Sequence, residues 1–119
     1  METAEIAKKL VAYCRKADWM GAQTDLYAQN ATSTEPYDSP DFAKEAEGLD
    51  AIKAKGKKFE SMIEKVHSLT VSEPLVAGNT IALTMTMDIT MKGKGRMSSP
   101  ELCVYQVKDG KIVSEEFFV

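Results

Sequence analysis

The stretch Thr80–Met91, TIALTMTMDITM, alternates between apolar and mostly polar side chains over its whole length. The apolar face consists of Ile81, Leu83, Met85, Met87, Ile89 and Met91. A repeat of two residues is the side-chain period of a β-strand. The segment therefore predicts a long strand, one face of which must be covered by other parts of the chain.

Further segments with the same repeat flank this strand. Residues 67–76 precede it, residues 96–107 and 111–119 follow it, and glycine-containing turn signals separate all of them. They predict four antiparallel strands joined by three hairpins. The second half of the chain thus reads as an antiparallel sheet.

The first half of the chain is predominantly helical. Apolar residues at helical spacing predict helices over residues 4–16, 19–27 and 49–65, the first capped by Thr3 and the second by Asp18. In the third helix, the lysines at 53, 55, 57 and 58 are expected on the solvated side. A short strand over 28–35 and a surface loop over 37–48 separate helices two and three. The fold class is α+β, with three N-terminal helices packed on a curved antiparallel sheet.

The composition limits the classes of function. A chain of 119 residues is a single domain, 1–119. The net charge is −3, and the lysines are not massed with aromatics, so no nucleic-acid partner is expected. No apolar run reaches the roughly 18 residues of a membrane span. We therefore expect no membrane partner and a cytoplasmic location.

The metal-binding side chains are few. His67 is the only histidine, and Cys14 and Cys103 lack C-x-x-C spacing. We therefore expect no metal and no cofactor, and two cysteines buried as small core residues. His67 itself is expected either at the mouth of a cavity or as a structural residue at the start of a strand.

Met85, Met87 and Met91 share one face of the long strand, and this permits two interpretations. If the helices cover only the other face, the methionine face needs a partner, and a second copy of the chain is the simplest one. We accordingly predict a homodimer through the sheet face. Alternatively, the methionines line an internal pocket that accommodates an apolar ligand.

Three short motifs, in order, suggest a known family. They are Leu-Tyr-Ala-Gln-Asn-Ala-Thr at 26–32 followed by Glu35-Pro36, Gly-Leu-Asp-Ala-Ile at 48–52, and Asp-Gly-Lys-Ile-Val at 109–113. With these motifs the chain resembles the nuclear transport factor 2-like superfamily, especially its SnoaL-like and ketosteroid-isomerase-like branches. The resemblance covers nearly the whole chain and implies a cone-shaped α+β fold. The superfamily includes isomerases, cyclases, dehydratases and members without catalytic activity, so fold alone does not assign a function.

The resemblance implies a role for Glu35. In the isomerase branch, a carboxylate just before a proline at the end of the first strand is the general base, and Glu35 stands there. That branch also uses a tyrosine and a protonated aspartate as oxyanion donors. Val11 and Cys103 stand at those two places here, which argues against steroid isomerisation.

Glu101 is the second catalytic candidate. If Cys103 faces the cavity, Glu101 and Tyr105 on the same strand do too, whereas a shift of one residue turns all three away. Two carboxyls in one apolar pocket favour different protonation states, so one acts as an acid and the other as a base. The remaining candidates to line the pocket are Tyr13, Trp19, Phe59, His67, Cys103, Tyr105 and Phe117.

Three functions remain open from the sequence, of which the third, protein–protein interaction, would leave an exposed apolar patch after dimerisation. The first is a cofactor-free isomerase, cyclase or lyase in which Glu35 transfers a proton on a small, apolar, carbonyl-bearing ligand. The second is a module without catalysis, which binds a ligand or serves as a dimeric scaffold. A pocket position for Glu35 favours the first function, and a solvent-exposed, ion-paired Glu35 favours the second.

Overall fold

The computed structural model describes all residues from Met1 to Val119 and begins with two helices. Helix α1, Thr3–Arg15, buries one stripe of residues: Ile6, Ala7, Leu10, Val11 and Cys14. Its N-cap is Glu2, and no side chain caps it, so the prediction of Thr3 as the cap is wrong. Helix α2, Trp19–Leu26, begins at the predicted cap, since the Asp18 carboxylate accepts a hydrogen bond from Gly21 N at 2.9 Å.

Helix α3, Leu49–Met62, ends three residues before the predicted position 65. Its N-cap, Gly48, has a φ of 91°, a conformation that favours glycine. The chain passes directly from α3 into an extended strand, so residues 63–65, predicted to be helical, are the first residues of that strand.

Seven strands form one sheet in the order β2-β1-β7-β6-β5-β3, with β4 paired to β5. Their bounds are β1 Tyr27–Thr34, β2 Glu45–Glu47, β3 Ile63–Val71, β4 Leu75–Ala77, β5 Thr80–Met91, β6 Gly95–Lys108 and β7 Lys111–Phe118. All pairs are antiparallel except β1 with β7, which is parallel. The α+β class is confirmed, with a mixed, mostly antiparallel sheet.

The predicted strand over 67–76 is two separate strands. It breaks between Val71 and Leu75, where Pro74 lies. Proline has no backbone N–H and therefore cannot donate a ladder hydrogen bond. At the break, the Ser72 hydroxyl accepts a hydrogen bond from Thr84 N at 2.9 Å.

The short β2 lies within the predicted loop over 37–48, where the sequence shows no strand signal.

The helices cover the inner face of the sheet, and the methionines of β5 belong to that face. Met85 and Met91 are buried, and Met85 and Met87 both line an internal cavity. Met85 and Met87 thus lie where the second interpretation placed them, and an apolar ligand for this cavity stays a prediction. The homodimer stays a prediction, and its best support is now the opposite face, where Leu75, Leu102 and Phe118 are exposed.

An irregularity in β7 decides which of its side chains face the helices. Val107 pairs with Ile112, but the preceding Gln106 pairs with Ser114, so Val113 is an extra residue in the ladder. Such a bulge shifts the alternation by one. As a result, Ile112 and Glu115 are both buried on the inner face although they are three residues apart.

None of the helices combines the length and the apolar character needed to cross a bilayer.

Candidate functional site

A cavity of about 270 Å³ lies between the three helices and the inner face of the sheet. Most of its lining is apolar and includes Leu10, Ile52, Met85 and Met87. Three carboxyl groups also reach it, those of Glu35, Glu101 and Glu115, together with the ammonium of Lys55. The cavity therefore combines an apolar wall with a small number of ionisable groups, as is typical of small-molecule sites.

Glu35 lies directly after β1, and the strand's alternation explains its position. Ala31 and Ser33 are buried at alternate positions near the end of β1, and Glu35 continues that series. Its carboxylate Oε2 lies 2.8 Å from Lys55 Nζ, and the two side chains are 28% and 17% exposed. The structure thus combines the two properties that the sequence treated as alternatives, because Glu35 lines the cavity and is also ion-paired.

A chain of hydrogen bonds extends from this ion pair into the core. Lys55 Nζ also donates to the Ser33 hydroxyl at 2.5 Å, and that hydroxyl donates to Glu115 Oε2 at 2.6 Å. The other oxygen of Glu115 accepts from the Tyr27 hydroxyl. Each of the five side chains in this hydrogen-bonded series has a partner, so the network is a rigid polar layer at one wall of the cavity.

Glu115 is the least accessible of the three carboxyls, with 5% of its surface exposed. Burial raises its pKa, and the hydrogen bonds from Ser33 and Tyr27 oppose that shift. Glu115 was not among the residues predicted for the pocket, because strict alternation from Ile112 turns it outward. The available signal was Phe117, which was predicted in the pocket and lies two residues further on the same face.

Glu101 on β6 faces the cavity, as one of the two sequence interpretations required. Its neighbours Cys103 and Tyr105 are buried on the same face, whereas Leu102 between them is exposed. The Cys103 thiol donates to Glu101 Oε1 at 3.8 Å, and Glu101 forms no salt bridge. Burial, followed by repulsion from Glu35, raises the pKa of Glu101 to about 6.

Four of the aromatic residues predicted for the pocket reach the cavity, namely Trp19, Phe59, Tyr105 and Phe117. Phe42 joins them from the loop between β1 and β2, with its ring centroid 6.4 Å from that of Phe59. The loop over 37–48 therefore contributes to the wall of the cavity, and apolar rings surround much of the space near the carboxyls.

Three predicted pocket residues do not line the cavity. The hydroxyl of Tyr13 donates to Asp25 at 2.8 Å on the helical surface, and Cys103 is completely buried behind the wall. His67 lies at an irregularity of β3, where Val66 pairs with Ile89 and Ser68 with Asp88. Its Nε2 is 2.7 Å from the Thr90 hydroxyl, so a bond across the sheet holds the ring away from the cavity.

The prediction that Lys55 lies on the solvated side of α3 is wrong for its charged end. Its backbone is on the flank of the helix, and its long side chain turns inward until the ammonium meets Glu35 and Ser33. Lysine commonly extends its charged end away from its backbone in this manner.

No group of three histidine, cysteine, aspartate or glutamate side chains has an arrangement that could hold a metal ion.

Comparison with known proteins identifies the family. The model of the SnoaL-like domain matches residues 1–119, the whole chain. A solved structure from Mesorhizobium loti, named for its likeness to SnoaL-like polyketide cyclases, is 32% identical, with 100% of both chains covered and a TM-score of 0.92. Comparison with curated protein sequences gave no match.

More distant structures share the fold. An NTF2-like protein of unknown function from Burkholderia pseudomallei is 16% identical with a TM-score of 0.78, covering 99% of this chain and 91% of its own. A Catenulispora acidiphila protein with a ketosteroid isomerase-like fold, solved with trimethylamine, is 19% identical with a TM-score of 0.74, covering 97% and 85%. This chain therefore belongs to the SnoaL-like domain family.

Proposed function

We propose that this protein is a cofactor-free proton-transfer enzyme of the isomerase, cyclase or lyase type, acting on a small, apolar, carbonyl-bearing ligand. The observation that supports this most directly is the pair of carboxyls in the cavity, Glu35 and Glu101, in unlike environments. Glu35 pairs with the Lys55 ammonium, whereas Glu101 has no ion-pair partner. Two carboxyls with different proton affinities are the usual requirement for acid and base work in one site.

The two carboxyls have distinct roles in this proposal. Glu35, ionised in its pair with Lys55, removes a proton from the carbon next to the ligand's carbonyl. Glu101, whose pKa of about 6 lets it hold a proton in mildly acidic solution, donates to the carbonyl oxygen as the enol forms. Reversing the two transfers at a different carbon moves a double bond, and attack of the enol on a second carbonyl closes a ring.

The volume of the cavity and the family of the protein support a small ligand. A cavity of about 270 Å³ is slightly below the range of roughly 300–1,000 Å³ common for drug-sized ligands. The Mesorhizobium loti relative is named for polyketide cyclases, whose substrates are rich in carbonyl groups. A compact ring system with one ketone fits both observations.

The proposal can be tested with 2-tetralone, a bicyclic ketone with acidic α-hydrogens. In D₂O near pH 6, the wild-type protein should accelerate loss of the α-proton signals in the NMR spectrum. Glu35→Gln and Glu101→Gln should each slow the catalysed exchange by about 100-fold or more, the usual contribution of a general acid or base. Glu116→Gln, an exposed glutamate on β7, is the matched control and should not change the rate.

The alternative is a ligand-binding module without catalysis, and the ion pair between Glu35 and Lys55 favours it because such pairs in cavities are often purely structural. If 2-tetralone binds in the cavity but its α-protons exchange no faster than in buffer, the enzymatic proposal is wrong and the binding function remains.

A further inference from the structure

Two polar side chains of the cavity lack a nitrogen or oxygen hydrogen-bond partner in the protein, in contrast to the network around Lys55. Gln23 of α2 is 8% exposed, and its amide makes no hydrogen bond with another side chain or the backbone. Tyr105 of β6 is 3% exposed, and no nitrogen or oxygen atom pairs with its hydroxyl. The Cys103 thiol is nearby but is a weak partner and already donates to Glu101.

The location of the free groups indicates what they face. Every polar side-chain atom that is completely enclosed by the protein has a hydrogen-bond partner. The free amide of Gln23 and the free hydroxyl of Tyr105 must therefore reach the open space of the cavity. On α3, Gly56 has no side chain to fill the region next to Gln23, since a Cβ there would lie 3.9 Å from the amide nitrogen.

Leaving buried polar groups without partners is energetically unfavourable, and nearly all such groups in proteins are paired. A protein that places two of them in an apolar cavity needs an occupant that pairs with them. Lys55 is already committed to Glu35 and Ser33, so the cavity has no free cation for an acidic ligand. The free groups are neutral, and together they offer O–H and N–H donors and an amide acceptor.

We infer that Gln23 and Tyr105 are the specificity-determining residues of this cavity and that they recognise an oxygen atom of a neutral, largely apolar ligand. Tyr105 donates to a carbonyl or hydroxyl oxygen, and Gln23 pairs with the same oxygen or with a second polar group on the ligand. Glu101 lies four residues from Tyr105 on the same face of β6, and both side chains line the same cavity. This inference rests on the proposed function only in requiring a small ligand in the cavity.

Ordered water is the competing occupant. At about 30 Å³ of liquid volume per molecule, the cavity has room for several waters that could bond to Gln23 and Tyr105. Water that stays on these groups while a ligand binds elsewhere in the cavity would give no preference for an oxygen-bearing ligand, because the ligand would then contact neither group.

The test uses a matched pair of probes, 2-tetralone and tetralin, which differ in a single carbonyl oxygen. Binding is followed by the NMR signal of the Trp19 indole N–H, the only tryptophan in the chain and part of the cavity wall. The wild-type protein should bind 2-tetralone about tenfold more tightly than tetralin. Gln23→Met and Tyr105→Phe should each reduce that ratio by about threefold, mainly by weakening 2-tetralone binding.

The controls separate recognition from folding. Gln29→Met and Tyr37→Phe change exposed residues of the same types and should retain the wild-type ratio. Replacing an unpaired polar group by an apolar one of similar shape should leave the melting temperature of the ligand-free protein unchanged or higher. If one cavity variant fails to fold, the other still tests the ratio.

The inference is overturned if the wild-type protein binds neither probe, binds both equally, or keeps its preference in both cavity variants. A lower melting temperature of the ligand-free Gln23→Met and Tyr105→Phe proteins would also overturn it, since that result assigns both groups to structure. If the wild-type protein prefers 2-tetralone, the cavity variants lose that preference, and no proton exchange is catalysed, the enzymatic proposal is rejected and the recognition role stands.

Discussion

Lys55 Nζ lies 2.8 Å from Glu35 Oε2, and this contact joins α3 to the end of β1 at the wall of the cavity. The same ammonium donates to Ser33, which in turn donates to the buried Glu115. A single cation therefore supports two of the three cavity carboxyls. The geometry makes Lys55 a structural support of the site and sets the charge balance inside it.

Removing the cation should destabilise the protein through the carboxyl that it leaves behind. Breaking a fully buried pair costs about 3–5 kcal/mol and an exposed pair below about 1 kcal/mol, so for this partly buried pair we expect Lys55→Met to lower the free energy of unfolding by about 1–3 kcal/mol. Glu35→Gln in the same chain should restore much of the loss. Urea unfolding of the two single variants and the double variant at pH 7 measures the coupling.

The matched control is Lys57→Met, which changes an exposed lysine of the same helix and should alter stability by less than about 0.5 kcal/mol. A coupling free energy near zero between Lys55 and Glu35 would show that the ion pair contributes nothing to folding.

Glu101 should make stability depend on pH. Its pKa in the folded protein is about 6, above the ordinary 4.5, so the folded state holds this proton more tightly than the unfolded state does. Stability is then lost as pH rises from about 4.5 to about 6, by up to about 2 kcal/mol. Glu101→Gln removes this loss and should be more stable than wild type at pH 8 by about 1–2 kcal/mol, with little difference at pH 4.

Denaturant unfolding of both proteins at the two pH values measures this difference, and Glu116→Gln on the exposed face is the control. Burial also raises the pKa of Glu115, so the wild-type curve alone contains both contributions and only the comparison isolates Glu101. An advantage of equal size at pH 4 and pH 8 would contradict a role for the charge of Glu101.

Two glycines in helices should respond oppositely to alanine. A Cβ at Gly56 would meet its nearest neighbour, the Gln23 amide nitrogen, at 3.9 Å, which is ordinary contact. Gly56→Ala should therefore raise stability by about 0.5–1 kcal/mol through helix propensity. A Cβ at Gly21 would lie 2.3 Å from the Asp18 carboxylate that caps α2.

Gly21→Ala must displace that carboxylate, and losing the cap costs about 1 kcal/mol, which offsets the gain in propensity. The melting temperature of Gly56→Ala should accordingly rise, and that of Gly21→Ala should stay level or fall. A rise of similar size in both variants would mean that the Asp18 cap has no effect on stability.

Local patterns predicted much of the fold. The alternation over Thr80–Met91 identified β5 with the bounds that the structure shows, and the Asp18 cap correctly located the start of α2. Both signals depend on neighbouring residues alone, because side-chain period and capping are local properties. The parallel pairing of β1 with β7 joins segments about 80 residues apart, and nothing local in either strand encodes it.

The site was predictable in part for the same reason. Glu35 and Glu101 were both candidates from the sequence, although alternation alone left open which face of its strand Glu101 occupies. The inward position of Glu115 could not be inferred, because the extra residue Val113 shifts the alternation of β7. Lys55 was assigned to solvent because helical period describes the direction of its Cβ, whereas its ammonium lies several bonds further on.

The pH dependence of catalysis tests the assignment of acid and base. If Glu101 donates the proton, its acid form is required, and catalysed exchange of the 2-tetralone α-protons should fall as pH rises through about 6. In Glu101→Gln this fall should disappear along with most of the rate. Measurements between pH 4.5 and 8, with the rate in buffer subtracted at each pH, give the profile. A catalysed rate that instead rises through about pH 6 would mean that Glu101 acts as the base, because only its ionised form increases over that range, and the roles of the two glutamates would be exchanged.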